Sequence, residues 1–349
     1  MESNIKESVC DFTNLFDAMN KCKKGVTWKD SVSRYTNNGL ASIYKLQNML
    51  IDDKYEIDKY YQFTIYEPKK REIVSTKFKD RVFQRSLCDN YLYDEITKRF
   101  IYDNGACQIN KGTDFCRDRL KTHLHKYYRH NGYNGYVLKC DFKNYFASTP
   151  HATVKRALNE IIKDEWVLDK VFQIIDSYDT GNKTGLGLGS QITQLVQLLV
   201  LNHLDHFVKE ALHIKHYIRY MDDMVLIFKD KKYLKYCLSK IKENIVELGL
   251  TLNSKKTQIF KLEQGLEFLG FKFSLTKTGK VLCIINKKNT KKRKRKLKKH
   301  MKLVKENKMT IEKSDQCFES WKAHVNKGNS YNVINGMNKY YNDLRSNYV

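Results

Sequence analysis

Two prolines, Pro68 and Pro150, are all that 349 residues contain, and no Pro/Gly/Ser-rich stretch separates one part of the chain from another. A flexible tether between independent modules is therefore not expected. Nine cysteines are scattered without a Cys-x-x-Cys pair, which argues against zinc. The polar, acidic start does not look like a secretory leader, so a disulfide framework is not expected either. Long apolar runs are missing too. The longest, residues 195–201, is broken by Gln197 and falls far short of the roughly 20 residues that cross a bilayer. The expectation is a cytoplasmic protein with no membrane partner. Negative charge is also scarce. Lys and Arg number 64 against 39 Asp and Glu, a net +25. No small acidic substrate requires that excess; a polyanion does, and nucleic acid is the usual one. Aromatics make up 12% of the chain, with 23 tyrosines, so stacking surfaces lie among the positive charges.

What the chain does have is the stretch 214–228. Two runs rich in Val, Ile, Tyr and Phe flank Tyr220-Met221-Asp222-Asp223, a β-hairpin pattern with carboxylates at its tip. Adjacent aspartates are commonly no more than a solvated turn, because Asp bonds its own backbone there. Here both flanks read as buried strands, so the two acids leave a packed sheet at one edge and face each other's charge. Like charges held that close resist ionisation unless a cation sits between them. A second acidic strand is therefore expected, and residues 135–146 supply it. An apolar strand ends on Asp141, and a turn carries Phe142, Tyr145 and Phe146 towards a helix that begins near Pro150. Alone, a strand-terminal Asp is more often a cap.

The rest of the chain is arranged around these two strands. Residues 1 to about 55 read as helices, with Val9, Phe12, Leu15, Phe16 and Met19 on one apolar face and Leu40, Ile43, Tyr44, Leu46 and Leu50 on another. Residues 61–66 and 71–74 form a hairpin tipped by Glu67-Pro68-Lys69-Lys70. Such a basic tip is usually a solvated face; the alternative is a finger reaching for phosphates, where Arg71 offers a bidentate fork. A helix covers 80–99, and Thr113 or Asp114 caps a basic helix running to about Tyr128. His123, His125 and His130 read as surface or RNA-facing groups rather than metal ligands, since no third ligand stands at a sensible spacing. A helical stretch over 151–178 leads to the glycine loop 185–189, which lets a backbone come close to something, and Ser190 caps the next helix. After the central hairpin come a helix ending at Gly249, a short strand from Leu250 into a basic turn with Lys255 and Lys256, and a strand over 267–273 paired with 281–285. From Asn286 the chain turns basic and helical through Lys291-Lys292-Arg293-Lys294-Arg295-Lys296, with Phe318, Trp321, Val325, Ile334, Met337 and Tyr340 as anchors. Like-charge runs are usually solvated, but aromatic anchors favour a folded, nucleic-acid-gripping subdomain.

This order permits a definite chemistry. Asp141, Asp222 and Asp223 can together hold two Mg²⁺ ions, with Mn²⁺ as the alternative. One ion activates a 3′-hydroxyl and the other holds the triphosphate of an incoming nucleotide. The phosphates need further cations, for which Lys69, Lys70, Arg71, Lys255 and Lys256 are candidates. The basic C-terminal helices would hold a duplex by its backbone, which carries no sequence information.

With these residues in place, the sequence resembles the reverse transcriptases. Tyr220-Met221-Asp222-Asp223 matches the family's Tyr-x-Asp-Asp box, and residues 141–146 match its Asp-(x)4-aromatic box. Residues 185–194 resemble its glycine loop and helix, 252–257 its following basic box, and Leu269-Gly270-Phe271 its primer grip. Arg71 and Arg81 fit its amino-terminal blocks. The resemblance covers about 60–285 in the correct order. It implies an α+β fold of the right-hand polymerase type, with fingers, an antiparallel-sheet palm and a small helical thumb. The corresponding division is 1–135 for N-terminal helices and fingers, 136–285 for the palm with a finger insertion at about 150–185, and 286–349 for the thumb. It also implies roles: Asp141, Asp222 and Asp223 catalytic, and joined by Phe142 in holding metal; Phe146 excluding a ribose 2′-hydroxyl; Gly189 and Gln191 at the nucleotide with the cations above; and Arg81, Tyr220, Met221, Leu269 and Gly270 on nucleic acid, to which the charge of the C-terminal helices adds Lys291, Arg293 and Arg295. Where the family usually has Pro-Gln in the glycine loop, this chain has Gly187-Leu188.

Within the family, residues 138–141, 189–194 and 201–206 are similar to the bacterial enzymes of diversity-generating retroelements and to unassigned groups linked to phage defence. The expected partners are an RNA template, in particular a cognate non-coding RNA, together with a DNA product and dNTPs. An accessory protein or a second copy of the chain would be a further partner. The favoured purpose is antiphage defence, with mutagenic cDNA synthesis in a diversity-generating element as the alternative. A non-catalytic RNA-binding scaffold on a retired polymerase fold is the reading from a different class, and it predicts a degenerate acid set.

Overall fold

A computed structural model describes residues 5–66, 71–178, 181–187 and 189–348. Helices open the chain: α1 (Ile5–Cys10), α2 (Phe12–Lys23), α3 (Asp30–Asn37) and α4 (Gly39–Ile51). The hairpin β1 (Tyr61–Ile65) and β2 (Arg71–Ser75) follows, then α5 (Phe78–Leu87), a π-helical turn at Cys88–Leu92 and α6 (Tyr93–Thr97). Next come α7 (Thr113–Asn131), β3 (Tyr136–Cys140), α8 (Tyr145–Ser148), α9 (His151–Ile161), α10 (Glu165–Asp176), α11 (Gln191–Val200) and α12 (Asn202–His206). The central hairpin is β4 (His216–Tyr220) and β5 (Asp223–Phe228). After it run α13 (Lys231–Glu247), β6 (Gln258–Lys261), β7 (Leu266–Phe268), β8 (Phe271–Leu275), β9 (Val281–Ile285), α14 (Lys287–Lys305), α15 (Ile311–Val325) and α16 (Tyr331–Tyr348). Among the described residues, strand pairing is antiparallel in all three sheets, giving the α+β class with the antiparallel sheets expected of a polymerase-like fold.

The chain forms two compact units. One comprises residues through Gln108 with Asp141–His213 and Ser239–Asn253; the other comprises Ile109–Cys140, Ile214–Leu238 and the residues from Ser254 on. In the first unit, α2 packs against α4 and α5. Leu15 and Met19, Ile43, Leu46 and Leu50, and Phe83 and Leu87 recur at three-four spacing and are buried. Leu40 and Tyr44, expected on the inward face of α4, are instead exposed; the apolar positions of this helix span more of its circumference than its neighbours cover. The helical stretch expected over 151–178 is two helices. Asp164 divides them, its carboxylate accepting the Val167 N–H at 2.9 Å as an N-cap does. The short strand expected from Leu250 is reduced to a single bridge between Leu252 and Phe142.

The second unit holds the sheet β4-β5-β3-β6 and the sheet β7-β8-β9. Each central strand has the alternating or continuous apolar character its position requires: Val137 and Leu138 on β3, Tyr217 and Ile218 on β4, and Met224 through Ile227 on β5 are buried. The single strand expected over 267–273 is broken in the middle. Leu269 (φ +48°) and Gly270 (φ +84°) take left-handed backbone, so β7 turns tightly into β8. His123, expected at the surface, is buried with its ring 5.6 Å from that of His216 and nearly perpendicular to it. It shares the α7 face of Leu120, Leu124 and Tyr127, and that face lies on β4. Neither Thr113 nor Asp114 caps α7; the N-cap is Gly112, and Asp114 pairs with Arg117 and Lys327.

The C-terminal helices fold around the aromatic anchors. Trp321 is buried, stacks on Phe318 at 5.9 Å, and donates its indole N–H to Asn289 at 2.9 Å. Trp321→Ala should cost about 3–5 kcal/mol, read from denaturant unfolding. A loss below about 1 kcal/mol would show that the stack is not part of a packed core.

Candidate active site

The central hairpin carries its acids at the tip. Tyr220 pairs with Asp223 across it, leaving Met221 and Asp222 as a two-residue loop. Met221 sits at φ +54°, a backbone region that glycine usually occupies in such loops. Arg219 holds it there. This guanidinium is fully buried, and its Nη1 donates to the Met221 carbonyl at 3.0 Å. Asp223 faces Lys139, whose Nζ lies 3.2 Å from Oδ2 and also donates to the Glu267 carbonyl at 2.7 Å. Sequence reasoning passed over both cations. The signal was there: a charge inside an apolar strand, Arg219 after Ile218 and Lys139 after Leu138, is costly to bury without a task. The register places Cys140, the last residue of β3, opposite Met224. The residue that follows Cys140 in the chain is Asp141.

In the first unit, the Asp141 carbonyl accepts the Asn253 N–H at 2.7 Å, and Lys143 N–H donates to the Thr251 carbonyl at 2.9 Å. The segment after Asp141 is thereby tied to the end of the 239–253 stretch, with Phe142 buried beneath it. Asn144 turns the chain at φ +51°, and α8 then presents Phe146, half-buried. The glycine loop lies alongside, Leu186 N–H donating to the Phe146 carbonyl at 2.8 Å. Gly187 has a specific cause. A Cβ there would stand 2.0 Å from the Tyr178 ring, so only glycine fits. Ser190 occupies the N-cap position of α11, yet its hydroxyl donates to the Gln84 side chain at 2.6 Å rather than capping. Gln191 opens α11, and Gly189 is left-handed at φ +127°. Arg81 lies on α5 with Nη2 3.4 Å from the Ser75 hydroxyl.

The remaining candidates divide. Lys255 and Lys256 sit exposed in the turn before β6. Leu269 and Gly270 form the β7–β8 turn. Lys291 and Arg295 are exposed on α14. Arg293 is not available in the same way: its guanidinium lies over the Trp321 ring at 5.8 Å and donates to the Cys317 carbonyl at 3.2 Å, and burial lowers its pKa. Lys69 and Lys70 lie outside the described residues, and Arg71 opens β2.

A family model for reverse transcriptase (RNA-dependent DNA polymerase) matches residues 40–273, about two thirds of the chain. The chain belongs to the reverse transcriptase family. Among solved structures, this reverse transcriptase is similar to apo telomerase from Candida tropicalis truncated from its C-terminal domain, at 15% identity over 64% of this chain and 55% of that one, TM-score 0.49. It is similar in the same degree to apo telomerase from Candida tropicalis, at 15% identity over 65% of this chain and 48% of that one, TM-score 0.49. The chain thus spans about half the length of these structures. No curated protein matches it.

Reverse transcriptase domains use divalent metal ions. Among the described residues, no group of three or more His, Cys, Asp or Glu is gathered as a metal site. The donor chemistry at the hairpin tip nonetheless suits a hard cation, since adjacent carboxylates offer oxygen ligands of the kind Mg²⁺ and Mn²⁺ prefer, with no thiolate or imidazole among them. Among the described residues of this reverse transcriptase, no helix is long and apolar enough to cross a membrane.

Proposed function

We propose that the chain copies RNA into DNA by adding dNTPs to a 3′-hydroxyl. The observation that carries this is the Tyr220-Met221-Asp222-Asp223 box at the tip of a hairpin in an antiparallel sheet, at the edge where β3 ends one residue before Asp141. In this reading Asp141, Asp222 and Asp223, with Phe142, hold two Mg²⁺ or Mn²⁺ ions. Such a pair, when bound, stabilises both the attacking and the leaving oxygen of an in-line displacement. Lys139 offsets part of the acids' charge, and Arg219 fixes the backbone between them. Lys69, Lys70, Arg71, Lys255 and Lys256 neutralise the triphosphate, Gly189 and Gln191 line the nucleotide, and the Phe146 ring excludes a 2′-hydroxyl. Arg81, Tyr220, Met221, Leu269 and Gly270 contact template and primer, and Lys291 and Arg295 contact the duplex backbone. Residues 1–135 then serve as N-terminal helices and fingers, 136–285 as palm and 286–349 as thumb.

The biological reading is a cytoplasmic, bacterial antiphage enzyme that copies a dedicated non-coding RNA. The net +25 and the similarity of residues 138–141, 189–194 and 201–206 to bacterial groups support it. The test is primer extension on RNA with the purified chain. Wild type should extend with dNTPs and scarcely with NTPs. Phe146→Ala should raise NTP incorporation at least about tenfold, the worth of one steric clash removed at the transition state. No extension with dNTPs would sink the function, and an unmoved sugar preference in Phe146→Ala would remove the ring's role.

A further inference from the structure

Gln197 is the polar residue that interrupts the apolar run of α11, and it is fully buried. So is Thr149, at the end of the segment that carries Phe146. The two side chains meet: Thr149 Oγ1 lies 3.1 Å from Gln197 Nε2 and 3.2 Å from its Oε1. Thr149 Oγ1 also donates to the Tyr145 carbonyl at 2.7 Å, and the Tyr145 hydroxyl donates to the Gln197 backbone carbonyl at 2.5 Å. These contacts close a ring between α8 and α11. Phe146 lies inside it, between Tyr145 and Thr149 in sequence. Its ring meets the Tyr145 ring edge-on at 5.9 Å, and the Tyr145 ring rests against Phe142 at 5.3 Å. The backbone is held as well, with Gly185 N–H on the Thr149 carbonyl at 2.9 Å and Leu186 N–H on that of Phe146 at 2.8 Å.

Buried polar side chains of this kind add little net stability over apolar residues of the same shape. What such a buried network adds is a single geometry. We propose that Tyr145, Thr149 and Gln197 are positioning residues for the Phe146 ring, and that they set how strictly the enzyme rejects a ribonucleotide. The inference rests on the reading of Phe146 as the group that excludes the 2′-hydroxyl. A ring allowed to tilt by a fraction of an ångström opens space for that hydroxyl, whereas the deoxynucleotide, which has no atom there, is accommodated either way.

The experiment compares kcat/KM for a dNTP and the matching NTP on a primed RNA in Tyr145→Phe, Thr149→Val and Gln197→Leu, with melting temperatures measured alongside. Each variant should lower the dNTP/NTP ratio by about tenfold, through a gain on the NTP side, because small misplacements at a reacting centre move rates by one to two orders of magnitude. Thr149→Ser, which keeps the hydroxyl, should restore the wild-type ratio. Tyr145→Phe removes a single oxygen and keeps the ring, so it tests the idea even if Thr149→Val fails to fold. In a Phe146→Ala background, Tyr145→Phe should change the ratio no further, as expected of residues acting through one ring. A ratio unmoved by Tyr145→Phe and Gln197→Leu, with Phe146→Ala still relaxing it, would overturn the proposal while leaving the ring's role intact. A ratio unmoved by Phe146→Ala itself overturns the parent reading, and the proposal with it.

Discussion

Asp222→Asn and Asp223→Asn should each reduce deoxynucleotide incorporation on a primed RNA by about three orders of magnitude or more, while RNA affinity stays within a few-fold of wild type. The size follows from the chemistry: stabilising charge on the attacking and leaving oxygens is worth several kcal/mol, and each 1.36 kcal/mol is about tenfold in rate. The specificity follows from the structure. Asn has the shape of Asp, so the loop keeps its form. Met221 stays at φ +54° because Arg219 donates to its carbonyl, a main-chain atom that both substitutions leave in place. Lys139, which loses the charge of Asp223 in one variant, retains the Glu267 carbonyl at 2.7 Å. The alteration is therefore one of charge at the tip. Single-turnover extension reads the first quantity and filter binding the second. Incorporation at wild-type rates would reject the polymerase assignment. Loss of RNA binding in step with activity would point to collapse of the hairpin. The scaffold reading predicts a third pattern, in which both variants keep the biological activity of the wild-type chain.

How much of this site was legible follows from how local each feature is. The central hairpin could be read from the sequence because two β-rich runs and a two-residue acidic tip are contained in 15 consecutive positions. The β7–β8 turn could not, because its first residue is Leu269, and nothing in a leucine announces a left-handed backbone. His123 looked like a surface group because His125 and His130 stand near it in sequence; helical spacing puts it with Leu120 and Tyr127 instead, and β4 covers that face. Gln197 was visible as an interruption of an apolar run. Its partner Thr149 is 48 positions away, and a contact at that range is decided by packing. The same holds for Arg293: its neighbours in sequence are all basic, and the ring and carbonyl that occupy it come from α15.

The basic residues of α14 should differ by a comparable amount in what they contribute to nucleic-acid affinity. Lys291, Lys292, Arg295 and Lys298 are exposed on α14, and replacing all four by Gln should weaken binding to an RNA–DNA duplex by about two orders of magnitude near physiological salt. Each phosphate contact contributes about 0.7–0.9 to the slope of log affinity against log salt, so the slope should fall by about three. Arg293→Gln belongs to the same basic run and should behave differently. Its guanidinium is already engaged by Trp321 and the Cys317 carbonyl, with its pKa lowered by burial. Removing it should lower unfolding stability by about 1–3 kcal/mol and change the salt slope by well under one. Binding isotherms at several salt concentrations separate the two cases. If Arg293→Gln moves the slope as far as an exposed lysine does, its side chain must leave the ring to meet phosphate. If the fourfold variant binds with an unchanged slope, α14 is not where the backbone is held, and the grip must lie with the turn lysines Lys255 and Lys256 or on the first unit.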